Sequence, residues 1–289
     1  MSDVTMVADY ACHTGEGPLW HASSGLLYWL DIPPGKVYRY DPATGEHALA
    51  VQRDEPVGAL TIEADAALLL WQAEGRVFRW DGHNADAVLP GLSRHAGHRF
   101  NDAIADPEGR VFAGMMDGRR HSNDVLYRFD PGGAMTLIAE GVGRTNGLGF
   151  SPDLAWLYYA DTHRGTIGRF CYDRLTGLVE DRRTLMTLDG PGRPDGLTVD
   201  AEGDLWIAMW GGGCVLRCTP QGRVVARIDV PTPNVSCVAF GGPDLDQLYI
   251  TTAGGHEKEK LGREAGALFM TTPGVHGRAE FRSRLASFA

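Results

Sequence analysis

A unit of roughly 40 to 49 residues recurs six times along the chain. Each copy has a turn-forming start followed by a short apolar run, and these runs begin at Glu16, Val57, Asn101, Asn146, Asp195 and Val235. A repeat of this length that contains several strands is typical of a β-propeller blade. The repeat therefore predicts an all-β, six-bladed β-propeller with four antiparallel strands in each blade.

The strands inside each unit are visible as two further patterns. One is a turn that leads into bulky and β-branched residues, as in the segment from Gly25 to Asp31. The other is an alternating run that ends in a turn, as from Gly35 to Pro42. We expect Val4 to Ala11 to supply an outer strand that closes the ring, and Gly254 to Glu264 to form a loop. No linker is evident, so residues 1–289 are predicted to form a single domain.

Composition excludes several partners. The net charge is −10, and no basic cluster is larger than a pair of arginines, so nucleic acid is not expected. The chain has no apolar run near the roughly 20 residues that span a bilayer, and its first residues lack a signal-peptide pattern. The five cysteines are scattered, as in a reducing compartment. We therefore expect a cytoplasmic protein, monomeric or a small homo-oligomer, that binds no membrane.

Four of the six repeat starts carry an oxygen ligand: Glu16, Asn101, Asn146 and Asp195. If the units are equivalent, these side chains meet at the central channel, because the glycine-rich start of each unit suits the crowded innermost strand. Carboxylate and amide oxygens together favour one divalent cation, and Ca, Zn, Mg, Mn and Fe(II) all remain open. The alternative is that Asn-Gly and Asp-Gly are ordinary turn dipeptides.

The same stretches carry a resemblance to the SMP-30/gluconolactonase/regucalcin-like family, and especially to bacterial sugar lactonases of the xylonolactonase and arabinonolactonase group. The matching motifs, in order, are Gly15-Glu16-Gly17-Pro18-Leu19-Trp20, Arg99-Phe100-Asn101-Asp102, Thr145-Asn146-Gly147, Pro194-Asp195-Gly196 and Gly241-Gly242-Pro243-Asp244-Leu245. The resemblance implies a metal held by Glu16, Asn146 and Asp195 in the propeller channel. It also implies that Arg99 and Asn101 contact a sugar lactone.

One position departs from the family pattern. Some animal members carry an acidic residue near the pocket, where this chain has Arg119. The substrate preference of those members therefore does not carry over, and pentonolactones and hexonolactones both remain open. His98, His121 and His163 are interpreted as surface or pocket-rim residues, and Asp102 and Asp161 as turn caps or pocket residues.

The chemistry that these residues imply is metal-dependent hydrolysis of a sugar lactone to its aldonic acid. Asp195 is the predicted catalytic base that takes a proton from water, with a further base nearby as the alternative. Arg99 could hydrogen-bond the substrate, and its alternative role is a surface ion pair. Two other functions remain open: a metal-dependent phosphotriesterase on the same propeller, and a non-catalytic cation-binding propeller.

Overall fold

The computed structural model describes residues 4–91, 96–117 and 124–286, and it confirms the predicted six-bladed β-propeller. Six sheets follow one another around a ring, each with four antiparallel strands, and one of them gains a short fifth strand. The innermost strands of neighbouring blades contact one another in turn around the complete ring. This arrangement leaves a channel along the propeller axis.

The strands of blades 1 to 3 are, in chain order, β2 (Gly15–His21), β3 (Leu26–Asp31), β4 (Lys36–Tyr40), β5 (His47–Gln52), β6 (Val57–Glu63), β7 (Leu68–Gln72), β8 (Arg76–Trp80), β9 (Ala85–Pro90), β10 (His98–Ala105), β11 (Val111–Asp117), β12 (Val125–Phe129) and β13 (Met135–Glu140). Blades 4 to 6 contain β14 (Thr145–Phe150), β15 (Trp156–Asp161), β16 (Thr166–Asp173), β17 (Leu178–Thr187), β18 (Arg193–Val199), β19 (Leu205–Trp210), β20 (Cys214–Cys218), β21 (Val224–Asp229), β22 (Val235–Gly241), β23 (Gln247–Thr252) and β24 (Ala267–Thr271).

The ring is closed by the first strand of the chain, as the sequence predicts. Strand β1 (Thr5–Asp9) pairs antiparallel with β24 and becomes the outer strand of the sixth blade. Closure in this way joins the two ends of the circle by backbone hydrogen bonds and leaves no open gap between blades. The predicted loop at 254–264 differs in detail, since it contains a 3-10 turn (Gly255–Glu257) and a four-residue helix α1 (Lys258–Leu261).

The apolar core lies between blades. One cluster packs Leu19 and Tyr28 of the first blade against Leu60 and Leu70 of the second. This explains why the strands are apolar on both faces: each blade buries one face on the blade before it and the other on the blade after it. None of the helices among the described residues is long and apolar enough to cross a membrane.

Every innermost strand has a β-bulge at the level of the channel. The pairing register shifts in β2, β6, β10, β14, β18 and β22. The last paired residues before the shifts are Glu16, Val57, Phe100, Asn146, Pro194 and Val235. A bulge inserts an extra residue and redirects side chains, and such bulges are frequent beside functional sites.

The bulges correct one detail of the sequence analysis. The prediction placed Glu16, Asn101, Asn146 and Asp195 at one equivalent position of the repeat. In the structure Glu16 and Asn146 occupy that position, whereas Asn101 and Asp195 lie one residue further on, inside the bulge. In a regular strand, side chains one residue apart point to opposite faces of the sheet. Within a bulge, side chains at both positions can turn toward the channel.

Two glycines show how tightly the inner strands approach. A Cβ atom at Gly58 would lie 1.8 Å from the carbonyl oxygen of Phe100 on the next blade. Gly147 has a φ of +38°, and a Cβ there would lie 2.6 Å from the carbonyl oxygen of Asp195. Only glycine fits both positions, because the backbone of the neighbouring blade occupies the space of a side chain.

The end of the chain crosses the base of the ring, which the sequence did not predict. The Ala201 amide donates a hydrogen bond to the backbone carbonyl of His276, and Arg278 donates to the carbonyl oxygen of Phe150 at 3.1 Å. Strand β25 (Arg282–Ser283) then pairs in parallel with the innermost strand of the second blade. We name residues 275–286 the C-terminal strap. Its hydrogen bonds reach all six blades, at the face opposite the predicted metal site.

Leu285 anchors the strap, and its replacement tests the contribution of the strap to stability. This side chain is 3% exposed and packs in the core between the second and third blades. We expect Leu285→Ala to lower the free energy of unfolding by about 2–5 kcal/mol, because the residual cavity adds to the lost burial. Denaturant unfolding measures the change. Leu175→Ala is the control, since Leu175 is 87% exposed, and an equal effect of both substitutions would contradict this role.

Candidate active site

The structure brings the predicted site residues together at one end of the channel. Asn146 and Asp195 are buried, and the Glu16 carboxylate faces the channel from the first blade. The charges of Glu16 and Asp195 act on each other, although the two residues belong to different blades. The six-fold arrangement of the backbone therefore gathers side chains that are distant in sequence.

Asn146 is held in one orientation by its neighbours. Its Nδ2 group donates a hydrogen bond of 2.8 Å to the hydroxyl of Thr162, and its Oδ1 accepts a hydrogen bond from Nδ2 of Asn101. Asn101 also donates to the carbonyl oxygen of Thr145 at 3.0 Å. Because Thr162 takes the NH₂ group, the Oδ1 atom of Asn146 stays on the Asn101 side of the channel as an acceptor.

Asn101 itself keeps a carbonyl oxygen for a ligand. Both hydrogen bonds of its side chain use Nδ2 as the donor, and no described residue donates to its Oδ1 atom. The residue is 8% exposed, so its side chain lies largely buried beside the channel. An acceptor in such a place suits a substrate hydroxyl or a cation.

Arg99 extends from the third blade across the second. Its Nη1 donates to the carbonyl oxygen of Phe100 at 2.9 Å and lies 3.2 Å from where a Cβ of Gly58 would be. Burial lowers the pKa of Arg99 to about 10, and the nearby Glu16 carboxylate opposes that change. Arg99 forms no ion pair within 4.0 Å among the described residues, so the alternative of a surface ion pair does not describe it there.

The two carboxylates are strongly perturbed without a counter-ion. Burial raises the pKa of Glu16 to about 8, with a further rise from the Asp102 charge. Burial raises the pKa of Asp195 well above its usual value, and the Glu16 charge adds to that rise. Such a pair is electrostatically unfavourable when both groups are ionised, because like charges in a place poor in water repel strongly.

A divalent cation fits this donor set. Asp195 is only 4% exposed, and no hydrogen bond or ion pair from the described residues reaches its carboxylate. Glu16 accepts a bond of 3.0 Å from the Gly17 amide, and the Cys237 thiol also hydrogen-bonds its carboxylate, but no cationic side chain pairs with it among the described residues. Two carboxylates and the amide oxygen of Asn146 are hard ligands, and a cation among them would remove the repulsion. Metal binding stays a prediction that this geometry supports.

Asp102 is a site residue whose role the sequence left undecided. It lies in the channel beneath the ring, and burial raises its pKa to about 7, while backbone amides of Ala103, Leu148 and Gly147 lower it. It lines a cavity of about 90 Å³ together with Glu280 of the C-terminal strap, whose pKa burial also raises to about 7. Asp102 follows Asn101 directly in the sequence, and this position next to a predicted site residue is the signal that could have assigned it to the site. Glu280 had none, since it lies outside the repeat.

Other residues from the sequence analysis have different positions. Asp161 caps a turn, because it accepts bonds from the backbone and the guanidinium of Arg164. His163 lines a cavity at the edge of the site, as a pocket-rim residue would. Arg119 and His121 lie outside the described residues. Asp200, Glu202 and Asp204 form a separate acidic cluster away from the channel, and Arg217 contacts all three.

The fold and the channel residues define a six-bladed propeller with an oxygen-lined axial site. A family model described as "SMP-30/Gluconolactonase/LRE-like region" matches residues 14–254. The chain therefore belongs to the SMP-30/gluconolactonase family, which confirms the resemblance drawn from the motifs.

Known proteins of this family match the chain along almost all of its length. Pentonolactonase XacC of Haloferax volcanii is 44% identical and covers 97% of this chain, with 98% of its own length matched. A 6-deoxy-6-sulfogluconolactonase of Pseudomonas putida is 35% identical and covers 92% of this chain and 93% of that protein. Among solved structures, a calcium-binding protein, regucalcin, from Agrobacterium tumefaciens has a TM-score of 0.90 at 27% identity, covering 98% of each chain.

Binding of a cation should displace protons from the carboxylates of the channel site. With a pKa of about 8, Glu16 holds a proton at pH 7 in the metal-free protein, and a cation binds only the ionised form. Apparent affinity for Ca²⁺ or Mn²⁺ is therefore expected to rise as pH increases toward 8. Calorimetric titration in two buffers of different ionisation enthalpy counts the released protons. Glu16→Gln should release fewer, whereas the exposed control Glu259→Gln should match wild type. Equal release in all three proteins would contradict the placement of Glu16.

The hydroxyl of Thr162 should act through Asn146. Removal in Thr162→Val deletes the acceptor of the Asn146 Nδ2 group and frees the amide to rotate. We expect divalent-cation affinity to fall by about tenfold, the lower end of the effect of groups that orient metal ligands. The same substitution at the exposed outer-strand residue Thr187 is the control for calorimetric titration. Unchanged affinity in Thr162→Val would show that Asn146 does not need this partner.

Proposed function

We propose that this protein hydrolyses a sugar lactone to the corresponding aldonic acid, with a divalent cation at the channel site of one propeller domain. The observation that carries the proposal is the buried Asp195 carboxylate, which has no protein partner among the described residues and lies beside Glu16. The named relatives support the substrate class, because they include a pentonolactonase and a sulfogluconolactonase.

The proposed cation site consists of Glu16, Asn146 and Asp195. When bound, the cation would polarise the lactone carbonyl and supply positive charge where negative charge develops during attack by water. The protein residues determine where the lactone lies relative to this charge. Asn146 is fixed by Thr162 and Asn101, so its oxygen is already in place before substrate arrives.

Arg99 and Asn101 are the proposed substrate-binding residues. The Arg99 guanidinium is preset by its bond to the Phe100 carbonyl, and its remaining N–H groups can donate to the oxygens of a sugar ring. Asn101 offers an acceptor oxygen to a sugar hydroxyl, because its NH₂ group is fully used. Together they would orient the ring and hold the carbonyl carbon toward the water that attacks it.

Asp195 is the proposed general base. Burial and the neighbouring carboxylates raise its pKa, which favours proton acceptance, while Arg144 and Arg99 oppose the rise. A bound cation would lower the basicity of Asp195 again. Asp102 then becomes a further candidate to receive the proton, since its pKa of about 7 matches that task and it lies just beneath the ring.

Substitution of the base and removal of the metal test the proposal together. Asp195→Ala and Glu16→Ala should each lower kcat/KM for aldonolactone hydrolysis by about 10²–10³, with the fold retained by circular dichroism. Chelation should have the same effect on wild type, and added metal should restore activity. Hydrolysis is measured by acidification with a pH indicator. The matched control is Asp189→Ala at an exposed loop residue.

The outcomes separate the alternatives. Wild-type rates in either ring variant would contradict the assignment of the site. Faster turnover of organophosphate triesters than of any lactone would favour the phosphotriesterase. Binding of the cation without turnover of either substrate would favour a cation-binding protein, the function named for the regucalcin structure.

A further inference from the structure

A second cavity opens beside the ring, between the fourth and fifth blades. Its volume is about 250 Å³, and it is lined by Arg144, Thr162, His163 and Arg193. Thr162 connects it directly to the ring, because its hydroxyl accepts the hydrogen bond from Asn146. Arg193 begins strand β18 only two residues before Asp195, so it stands at the edge of the same site. We name this space the rim cavity.

The rim cavity contains two guanidinium groups in a protein whose net charge is −10. The Arg144 charge acts on Asp195 and Arg99, so Arg144 already interacts with the residues of the channel site. Arg193 differs. Among residues 4–91, 96–117 and 124–286, no hydrogen bond or ion pair engages its side chain, which is exposed to solvent. Its Nη1 lies over Gly165, 2.8 Å from where a Cβ would be.

The acidic groups near the cavity do not neutralise Arg193. Asp161 lies on the turn that forms one wall, but it is engaged by Arg164. Asp195 shares the strand of Arg193 and points into the channel, where Glu16 and the proposed cation lie. The rim cavity is thus a positively charged region beside the channel site of a protein whose net charge is negative, and such a region attracts and orients anions.

We propose that the rim cavity binds a negatively charged substituent, a carboxylate, phosphate or sulfonate, on the part of the lactone remote from its carbonyl. The proposal rests on the proposed function and deepens it by naming the substrate class. A guanidinium donates two parallel hydrogen bonds to the oxygens of such groups, a geometry that a hydroxyl does not use fully. The cavity is large enough for a substituent of this kind, and Thr162 and His163 add polar contacts.

The experiment compares neutral and charged lactones of the same ring size in the metal-loaded protein. The neutral probe is an aldonolactone, and the charged probes carry a terminal carboxylate, phosphate or sulfonate. For wild type we expect the ratio of kcat/KM, charged over neutral, to exceed one and to fall as salt is added. Arg193→Gln should lower this ratio by about tenfold, the effect of losing one charge-assisted pair. Arg193→Lys should recover part of it.

The control is Arg223→Gln, the same change at an exposed arginine on the outer part of the fifth blade. It should leave the ratio unchanged. The charged probe with the largest ratio identifies the anion. Two results would overturn the anion site: a charged-over-neutral ratio of kcat/KM at or below one in wild type, or an equal loss of kcat/KM for charged and neutral probes in Arg193→Gln. Neither result would contradict the proposed hydrolysis of lactones.

Calorimetric binding separates the two proposals when no lactone is hydrolysed. Absence of turnover by the metal-loaded wild type counts against the proposed function. The rim cavity is then judged by the affinity for the charged probes, which Arg193→Gln should weaken by about tenfold relative to the neutral probe. Equal affinity of both proteins for every charged probe would overturn the inference on its own.

Discussion

Pairing of β1 with β24 is the contact on which the rest of the structure depends. It joins the first residues of the chain to its last blade and completes the circle of inner strands. Glu16 follows β1 closely and belongs to the first blade, whereas Asp195 belongs to the fifth. Only a closed ring holds these two carboxylates against each other, because an open array of blades would let the channel widen and the charges separate.

The channel concentrates groups that each oppose burial. Glu16, Asp195 and Asp102 are carboxylates whose pKa values are raised, and the guanidinium of Arg99 lies among them with its pKa lowered. If all three carboxylates were ionised, their negative charge would exceed the positive charge of this guanidinium, and the raised pKa values reflect that repulsion together with burial. Perturbed groups of this kind cluster at functional sites, where the strain of burial is relieved by a ligand. The same imbalance that weakens the ligand-free channel thus prepares it for a cation.

Much of the architecture could be predicted from sequence because the repeat exposes it. Six similar units imply six blades, and the surplus strand pattern at Val4 to Ala11 implies closure. The equivalence of the ring residues was predicted only to within one residue. Bulges add a residue without changing the composition of the strand, so the offset of Asn101 and Asp195 is invisible until the pairing is known.

The remaining site residues could not be predicted, because they depend on contacts between units. Arg193 and Thr162 lie on different blades, and nothing in either local sequence indicates that they share a cavity. The C-terminal strap has no strand pattern and no counterpart in the repeat, so its path beneath the channel follows only from tertiary packing. Glu280 reaches the channel by that path.

The strap also changes what the channel can be used for. Residues 278–281 line the cavity at the base of the channel, so we expect a molecule as large as a sugar to enter and leave at the opposite end. Substrate and product would then pass through the same opening of the channel. A product that dissociates slowly would block binding of the next substrate molecule. The rate of product release would therefore depend on the residues around this opening.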